Sequence, residues 1–261
     1  MVKNYFKKIA WLFIVVSLFA CNGEGDLPTI EIEEVLADYI TNNEDFPLVR
    51  DSLIACAFGG QMGFIENGEP PIAVLFLPEG DAADFRYFET DDINVDPNDF
   101  SNYRLMELPI SPLFNGFLQY FERPAISENT WGIVTFVKER RLHISNPIRL
   151  KLNDKPSEFA PELLRIDQIE NLSPTFSWTD GQTPENAIYF QVVLDEADNL
   201  LSGTYTFDQQ FQFYNLSNVV LNIRDVTPPP ALQPNRQYQF VLMGVSLDNW
   251  VNLLIRVPFE T

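Results

Sequence analysis

The densest group of side chains that could bind a metal ion is the acidic stretch from Asp91 to Asp99. Asp92, Asn94 and Asp96 place carboxylate or amide oxygens at alternate positions, and Ca²⁺ prefers oxygen ligands of this kind. The stretch departs from a helix-loop-helix calcium loop, because Pro97 stands where that loop needs glycine. Two interpretations therefore stay open: a Ca²⁺ site at Asp92, Asn94 and Asp96, or a solvated turn rich in Asx residues.

Catalysis has few candidate residues. His143 is the only histidine, so a His-rich metal site is excluded, and a Ser-His-Asp arrangement would depend on this one residue. Cys56 has no nearby His or Lys to lower the pKa of its thiol, and its apolar surroundings are typical of a buried strand. Carboxylates are abundant, but nothing marks a pair for glycoside hydrolysis. We predict that the chain is not an enzyme and needs no cofactor, with a carboxylate hydrolase as the least favoured alternative.

Trp250 is the candidate ligand-binding residue. It follows Leu247-Asp248-Asn249, which we predict to be the tip of the final hairpin. An exposed aromatic ring at a loop tip can stack on a sugar or contact a protein partner. The alternative is that the ring folds back over the core.

The first 20 residues have the layout of an export signal. Lys3, Lys7 and Lys8 precede an apolar run from Ile9 to Ala20 that only Ser17 interrupts. This is typical of a signal peptide. The run is too short to span a bilayer, which needs about 20 apolar residues.

The signal ends at Leu18-Phe19-Ala20-Cys21, which resembles the lipobox of bacterial lipoproteins. Phe19 departs from the small residue that the family prefers there. The resemblance implies cleavage before Cys21, a diacylglycerol on its thiol and an acyl chain such as palmitate on the freed amine. An ordinary cleaved signal with an incidental cysteine is the alternative.

The acidic stretch Asn22–Asp26 directly after the cysteine is similar to the surface-export signal of lipoproteins from the Bacteroides–Flavobacterium group. That resemblance implies a lipid-anchored protein of the outer membrane, facing the cell surface.

Charge excludes several classes of partner. The net charge of the 261 residues is −20, and loss of the three signal lysines takes it to −23. Such an excess repels phosphate backbones and anionic headgroups, so we expect no nucleic acid partner and membrane contact only through the lipid. With Cys21 consumed by lipid, Cys56 has no partner for a disulfide.

Short apolar or alternating runs separated by Gly, Pro and Asn predict an all-β fold of sandwich or barrel type. Polar residues near Asn153–Ser157 break the pattern and predict a domain boundary. The predicted strands are 53–58, 71–77, 85–89, 103–108, 117–121, 130–137 and 142–152 before the boundary, and 163–169, 175–178, 188–194, 205–213, 219–223, 238–245 and 251–258 after it.

The second half resembles a fibronectin type III domain. Leu232-x-Pro234-x-x-x-Tyr238 matches that family's pattern before its penultimate strand, and Trp178 stands at the position of its core tryptophan. The resemblance implies a tyrosine corner, in which the Tyr238 hydroxyl bonds to upstream backbone. The first half looks like a divergent copy, with 130–137 and 145–152 as its last hairpin and Trp131 in place of the tyrosine.

We therefore predict a signal peptide (1–20), a lipidated Cys21 with an acidic tether (21–46) and two tandem immunoglobulin- or fibronectin III-like β-sandwiches (47–154 and 155–261). The predicted function is non-catalytic: an interaction module or spacer in an outer-membrane complex, with outer-membrane or surface proteins as partners. A glycan-binding accessory protein for nutrient capture is the alternative.

Overall fold

The computed structural model describes residues 34–60, 64–65, 71–167, 172–223 and 229–261. From residue 33 onward the chain forms one compact unit. The first half contains the helix α1 (Leu36–Asn42) and the strands β1 (Leu48–Leu53), β2 (Ala55–Gly59), β3 (Ile72–Phe76), β4 (Ala83–Thr90), β5 (Tyr103–Met106), β6 (Ile110–Leu113), β7 (Leu118–Arg123), β8 (Thr130–Lys138), β9 (Arg141–Ser145) and β10 (Ile148–Leu150). The second half contains β11 (Glu158–Phe159), β12 (Leu164–Asp167), β13 (Thr175–Trp178), β14 (Ile188–Leu194), β15 (Leu200–Thr206), β16 (Gln210–Gln212), β17 (Val219–Asn222), β18 (Gln237–Val245) and β19 (Val251–Glu260).

The strands form four sheets, two in each half. Sheet A has the order β1-β9-β8-β4-β5, with β10 also paired to β8, and sheet B has the order β2-β3-β7-β6. Sheet C has the order β11-β19-β18-β14-β15-β17, and sheet D has the order β12-β13-β16. In each half the first strand runs parallel to a later strand: β1 lies beside β9, and β11 lies beside β19. The predicted all-β fold of two tandem β-sandwiches is confirmed.

Local sequence signals located most strands. The predicted strands 175–178 and 188–194 coincide with β13 and β14. The single predicted strand 205–213 is wrong, because the chain bends after β15 and β16 joins a different sheet. The strand β6 was not predicted, since Pro112 inside it is a residue that sheets accept only at an edge.

The tyrosine corner is present in the second sandwich. The Tyr238 hydroxyl accepts a hydrogen bond from the backbone N–H of Gln233 at 2.9 Å. Leu232 is buried beside it, and Trp178 on β13 is buried between sheets C and D. Both features agree with the fibronectin III-like pattern.

A separate apolar core lies between the two sandwiches and is formed by both. Phe58, Leu75 and Tyr120 on one face of sheet B pack in one cluster with Val192 and Met243 of sheet C. Because the opposite faces of both sheets fill the interior of their own sandwiches, sheets B and C are buried on two sides. Strands buried on both faces have continuous apolar sequences, which explains the run in β3.

The hairpin of β18 and β19 extends into the first half. The carbonyl of Asn249, at the hairpin turn, accepts a hydrogen bond from the backbone N–H of Ala57 at 3.0 Å. Lys151, only 6% exposed, pairs with Asp248 at 2.8 Å. Polar contacts at the turn thus reinforce the shared apolar core.

The helix α1 corrects the predicted tether at residues 21–46. Leu36 and Tyr39 are buried against Phe88 and Ile133 on the outer face of sheet A. The last part of this segment is therefore packed structure. Spacing of three residues puts Leu36 and Tyr39 on the same side of a helix, a signal that was too short to separate helix from strand.

Candidate functional site

Cys21 and the signal peptide lie outside the described residues, so lipidation and surface export stay predictions. Among the residues that the structure describes, no helix is long and apolar enough to cross a membrane.

The prediction that Trp250 is exposed for ligand binding is wrong. Its side chain is 0% exposed and belongs to the core between sheets A and B. The indole N–H donates to the carbonyl of Lys155 at 2.8 Å. The exposed apolar residue of this hairpin is Leu247, at 92%. The turn directs Trp250 into the first sandwich, so the glycan-binding alternative loses its named platform.

The acidic loop forms local turns. One Asp92 carboxylate oxygen accepts hydrogen bonds from the backbone and side-chain nitrogens of Asn94, at 2.9 and 2.8 Å. Asp96 accepts from the backbone N–H of Asn98 at 2.9 Å, and Asp99 caps Ser101 in the same way. These are Asx turns. The described part of the chain has no group of three or more His, Cys, Asp or Glu side chains that could hold a metal ion. The Ca²⁺ site at Asp92, Asn94 and Asp96 stays a prediction.

His143 and Cys56 both lie in packed strands. His143 on β9 stacks on Phe136 with 4.9 Å between ring centroids, and burial lowers the pKa of its imidazole. Burial raises the pKa of the Cys56 thiol to about 12. A thiol with so high a pKa is protonated at neutral pH and is a poor nucleophile.

An ion pair between the buried Glu89 and the partly buried Arg123 in the first sandwich was not found from the sequence. Glu89 accepts hydrogen bonds from Arg123 Nε at 2.9 Å and Nη2 at 3.0 Å, and also from Tyr87 and Thr130. Four donors satisfy a carboxylate that is 4% exposed. Gly132 makes room for Tyr87, since a Cβ atom there would lie 2.4 Å from the Tyr87 hydroxyl. This network is complete in itself and lines none of the pockets described below.

A groove of about 750 Å³ lies where the chain leaves β5 of sheet A and crosses to β6 of sheet B. Its apolar lining includes Phe85, Met106, Leu108, Ile110 and Phe121. Ile110 lies opposite Phe121 in the ladder of β6 and β7, so both point to the same face of sheet B. Phe121 is 2% exposed and Ile110 is 40% exposed. The groove thus opens the edge of the first sandwich's core to solvent.

Charged side chains also line this groove, which we name the β5–β6 groove. They are Glu34, Asp84, Glu107 and Arg86. Arg86 Nε contacts Asp84 at 2.9 Å, and Arg86 also pairs with Glu34. Three carboxylates against one guanidinium leave the lining with a negative excess.

A β-bulge positions Asp84 at the groove. The ladder between β4 and β8 shifts register between Ala83 and Arg86, and Asp84 has a φ of 55°. The Tyr39 hydroxyl donates to Asp84 at 2.8 Å, and Arg86 lies over the Tyr39 ring at 4.2 Å. Bulges redirect side chains and occur beside functional sites. No local sequence signal marks this bulge, which is why these residues were missed.

No family model matches the chain, and no curated protein matches it. Among solved structures, it is similar to the chicken interferon gamma receptor alpha chain, with 9% identity and a TM-score of 0.26 over 72% of this chain and 92% of that one. It is also similar to the receptor tyrosine kinase Torso, with 10% identity and a TM-score of 0.23 over 87% of this chain and 84% of that one.

Proposed function

We propose that this protein is a non-catalytic, lipid-anchored surface protein that acts as a rigid interaction module or spacer in an outer-membrane complex. The lipobox-like sequence at Cys21 supports the anchor. The pair of fused sandwiches supports the structural role.

The observation that carries the proposal is the apolar core shared by sheets B and C. Domains joined by small, polar interfaces move relative to one another, whereas a large hydrophobic interface holds them fixed. Val192, Val241 and Met243 of sheet C are at most 1% exposed in that interface. A rigid pair of sandwiches keeps the surfaces of its two halves at a fixed separation, as a spacer requires.

The candidate catalytic groups support a non-catalytic role. The thiol of Cys56 has a raised pKa, and the imidazole of His143 has a lowered one because it is buried. The carboxylates of the acidic loop accept hydrogen bonds from their own backbone. These environments suit packing and turn formation.

The anchor is tested by replacing Cys21 with alanine. Stable attachment takes about two acyl chains or signals, so we expect the wild-type protein in the membrane fraction and Cys21→Ala in the soluble fraction. Cys56→Ala is the matched control and should stay with the membrane. Membrane retention of Cys21→Ala with cleavage at the same bond contradicts the anchor.

The interaction role is tested by cross-linking a tagged protein on intact cells and identifying what co-purifies. We expect a surface or outer-membrane protein in stoichiometric amount with wild type. Recovery of the tagged protein alone, in cells that carry it on their surface, contradicts the interaction role.

A further inference from the structure

We infer that the β5–β6 groove binds an extended segment of a partner protein that presents both basic and apolar side chains to it. This inference rests on the proposed function and names the docking surface and the partner's chemistry.

Ile110 and its neighbours indicate that the partner segment carries apolar side chains. By its register with Phe121, Ile110 belongs to the face of sheet B that packs against sheet A, yet it is 40% exposed. Phe85, Met106 and Leu108 are half-buried around it and pack against the core of the first sandwich. A partner's apolar side chains placed here would complete that core. A groove of about 750 Å³ has the size of a binding site, since such sites measure roughly 300–1,000 Å³.

The charge of the groove lining indicates that the partner segment also carries basic side chains. Glu34, Asp84 and Glu107 face one cation, Arg86, so the lining carries a net charge of −2 (one positive against three negative). Arg86 pairs with Glu34 and Asp84, whereas the exposed Glu107 forms no ion pair with any of the described residues. A Lys or Arg side chain complements this lining, whereas a second copy of a chain with net charge −20 brings like charge.

The extended conformation of the partner follows from the strand edges. β5 pairs with β4 on one side, and on its other side the backbone of Glu34 and Val35 contacts Leu105 and Arg104. Met106 pairs with Tyr87 of β4 on the first side, and on the second side none of the described residues pairs with it. Free sheet edges accept extended segments through main-chain hydrogen bonds, and alternate side chains then point into the groove.

The test uses the purified full chain and two fluorescent peptides of equal length. In one, Val and a basic residue (Lys or Arg) take turns at every second position, with Ser between them, so that both kinds of side chain lie on one face. In the other, Glu replaces the basic residues. We expect fluorescence anisotropy to show binding of the basic peptide that is at least about tenfold tighter than that of the acidic one, and that weakens as salt rises from about 50 to 300 mM. Wild type that binds neither peptide, or both equally, overturns the inference.

Two variants locate the binding. Ile110→Lys and Glu107→Lys change exposed groove residues, and each should lower the affinity for the basic peptide by about fivefold or more. Leu247→Lys and Glu162→Lys make the same changes at exposed positions of the second half and should stay within about twofold of wild type. Equal losses of affinity in the two groove variants and in the two control variants overturn the inference. Unchanged circular dichroism spectra confirm that each variant folds.

Other occupants give distinct results. Loss of a dimer in sedimentation on Ile110→Lys would identify a second copy of the chain as the occupant. A rise in affinity for the basic peptide in the Ile32→Lys variant would identify the chain's own residues before Glu34 as the occupant of the groove. Either result overturns the inference. On cells, a cross-linked partner that Ile110→Lys retains leaves the proposed function standing and removes the groove from it, whereas absence of a partner in every version contradicts the proposed function itself.

Discussion

Glu89 shows how a single residue can hold charge inside a β-sandwich. Its carboxylate lies 4% exposed and accepts from both nitrogens of the Arg123 fork. Taking two ions out of water costs several kcal/mol each, and close bidentate geometry with further donors offsets that cost. The pair joins β4 of sheet A to β7 of sheet B, so it ties the two sheets of the first sandwich together.

Removal of one partner should therefore be more harmful than removal of both. We expect Arg123→Met to lower the free energy of unfolding by about 3 kcal/mol or more, because Glu89 is left buried without its counter-charge. The double variant Glu89→Met, Arg123→Met should lose less than the single one. Urea denaturation measures both. A loss below about 1 kcal/mol for Arg123→Met would show that Glu89 reaches water in the folded protein.

The hairpin of β18 and β19 is the element that belongs to both sandwiches. Along most of its length it forms the centre of sheet C, and at its turn it inserts Trp250 into the core between sheets A and B. Asn249 has a φ of 61° at this turn, a left-handed conformation that asparagine adopts more readily than most residues. The turn conformation thus places residues only three positions apart in opposite environments, with Leu247 in solvent and Trp250 in the core.

Two variants of this hairpin should differ sharply. Trp250→Ala should lower the free energy of unfolding by about 3–5 kcal/mol, since it leaves a large cavity and removes the hydrogen bond to Lys155. Leu247→Ala should change it by less than about 0.5 kcal/mol, because Leu247 is exposed. Thermal or urea unfolding measures the difference. Equal effects would place Trp250 outside the core.

At the scale of the whole molecule, the shared core makes the two sandwiches dependent on each other. Without its partner, each would expose one apolar face of sheet B or sheet C to water. Exposed apolar patches of that extent lead to association in soluble proteins. Ser157 in the second half links the two: its hydroxyl accepts a hydrogen bond from the backbone N–H of Gly59 in the first half and donates to the carbonyl of Val251 in the second.

Coupled unfolding follows from this dependence. Val192→Asp puts an unpaired charge between sheets B and C and should lower the free energy of unfolding by more than about 4 kcal/mol. Hydrogen exchange measured by mass spectrometry should show a loss of amide protection in β8 of the first half as well as in β14. Val220→Asp, at a 49% exposed position on β17, is the control and should change neither. Loss of protection in the second half alone would show that the halves unfold independently.

The sequence by itself determined the features that depend on neighbours along the chain. Alternating and continuous apolar runs predicted most of the strands, and Leu232, Pro234 and Tyr238 predicted the corner that the structure contains. These signals are local, because strand period and turn conformation are set by a few consecutive residues.

Only the tertiary structure decided which apolar surfaces are covered. The bond between Glu89 and Arg123 joins residues 34 positions apart, and the groove combines residues of four strands. The burial of Trp250 depends on a sandwich built from the other half of the chain. Such contacts follow from the register and stacking of whole sheets, and no short stretch of sequence carries that information.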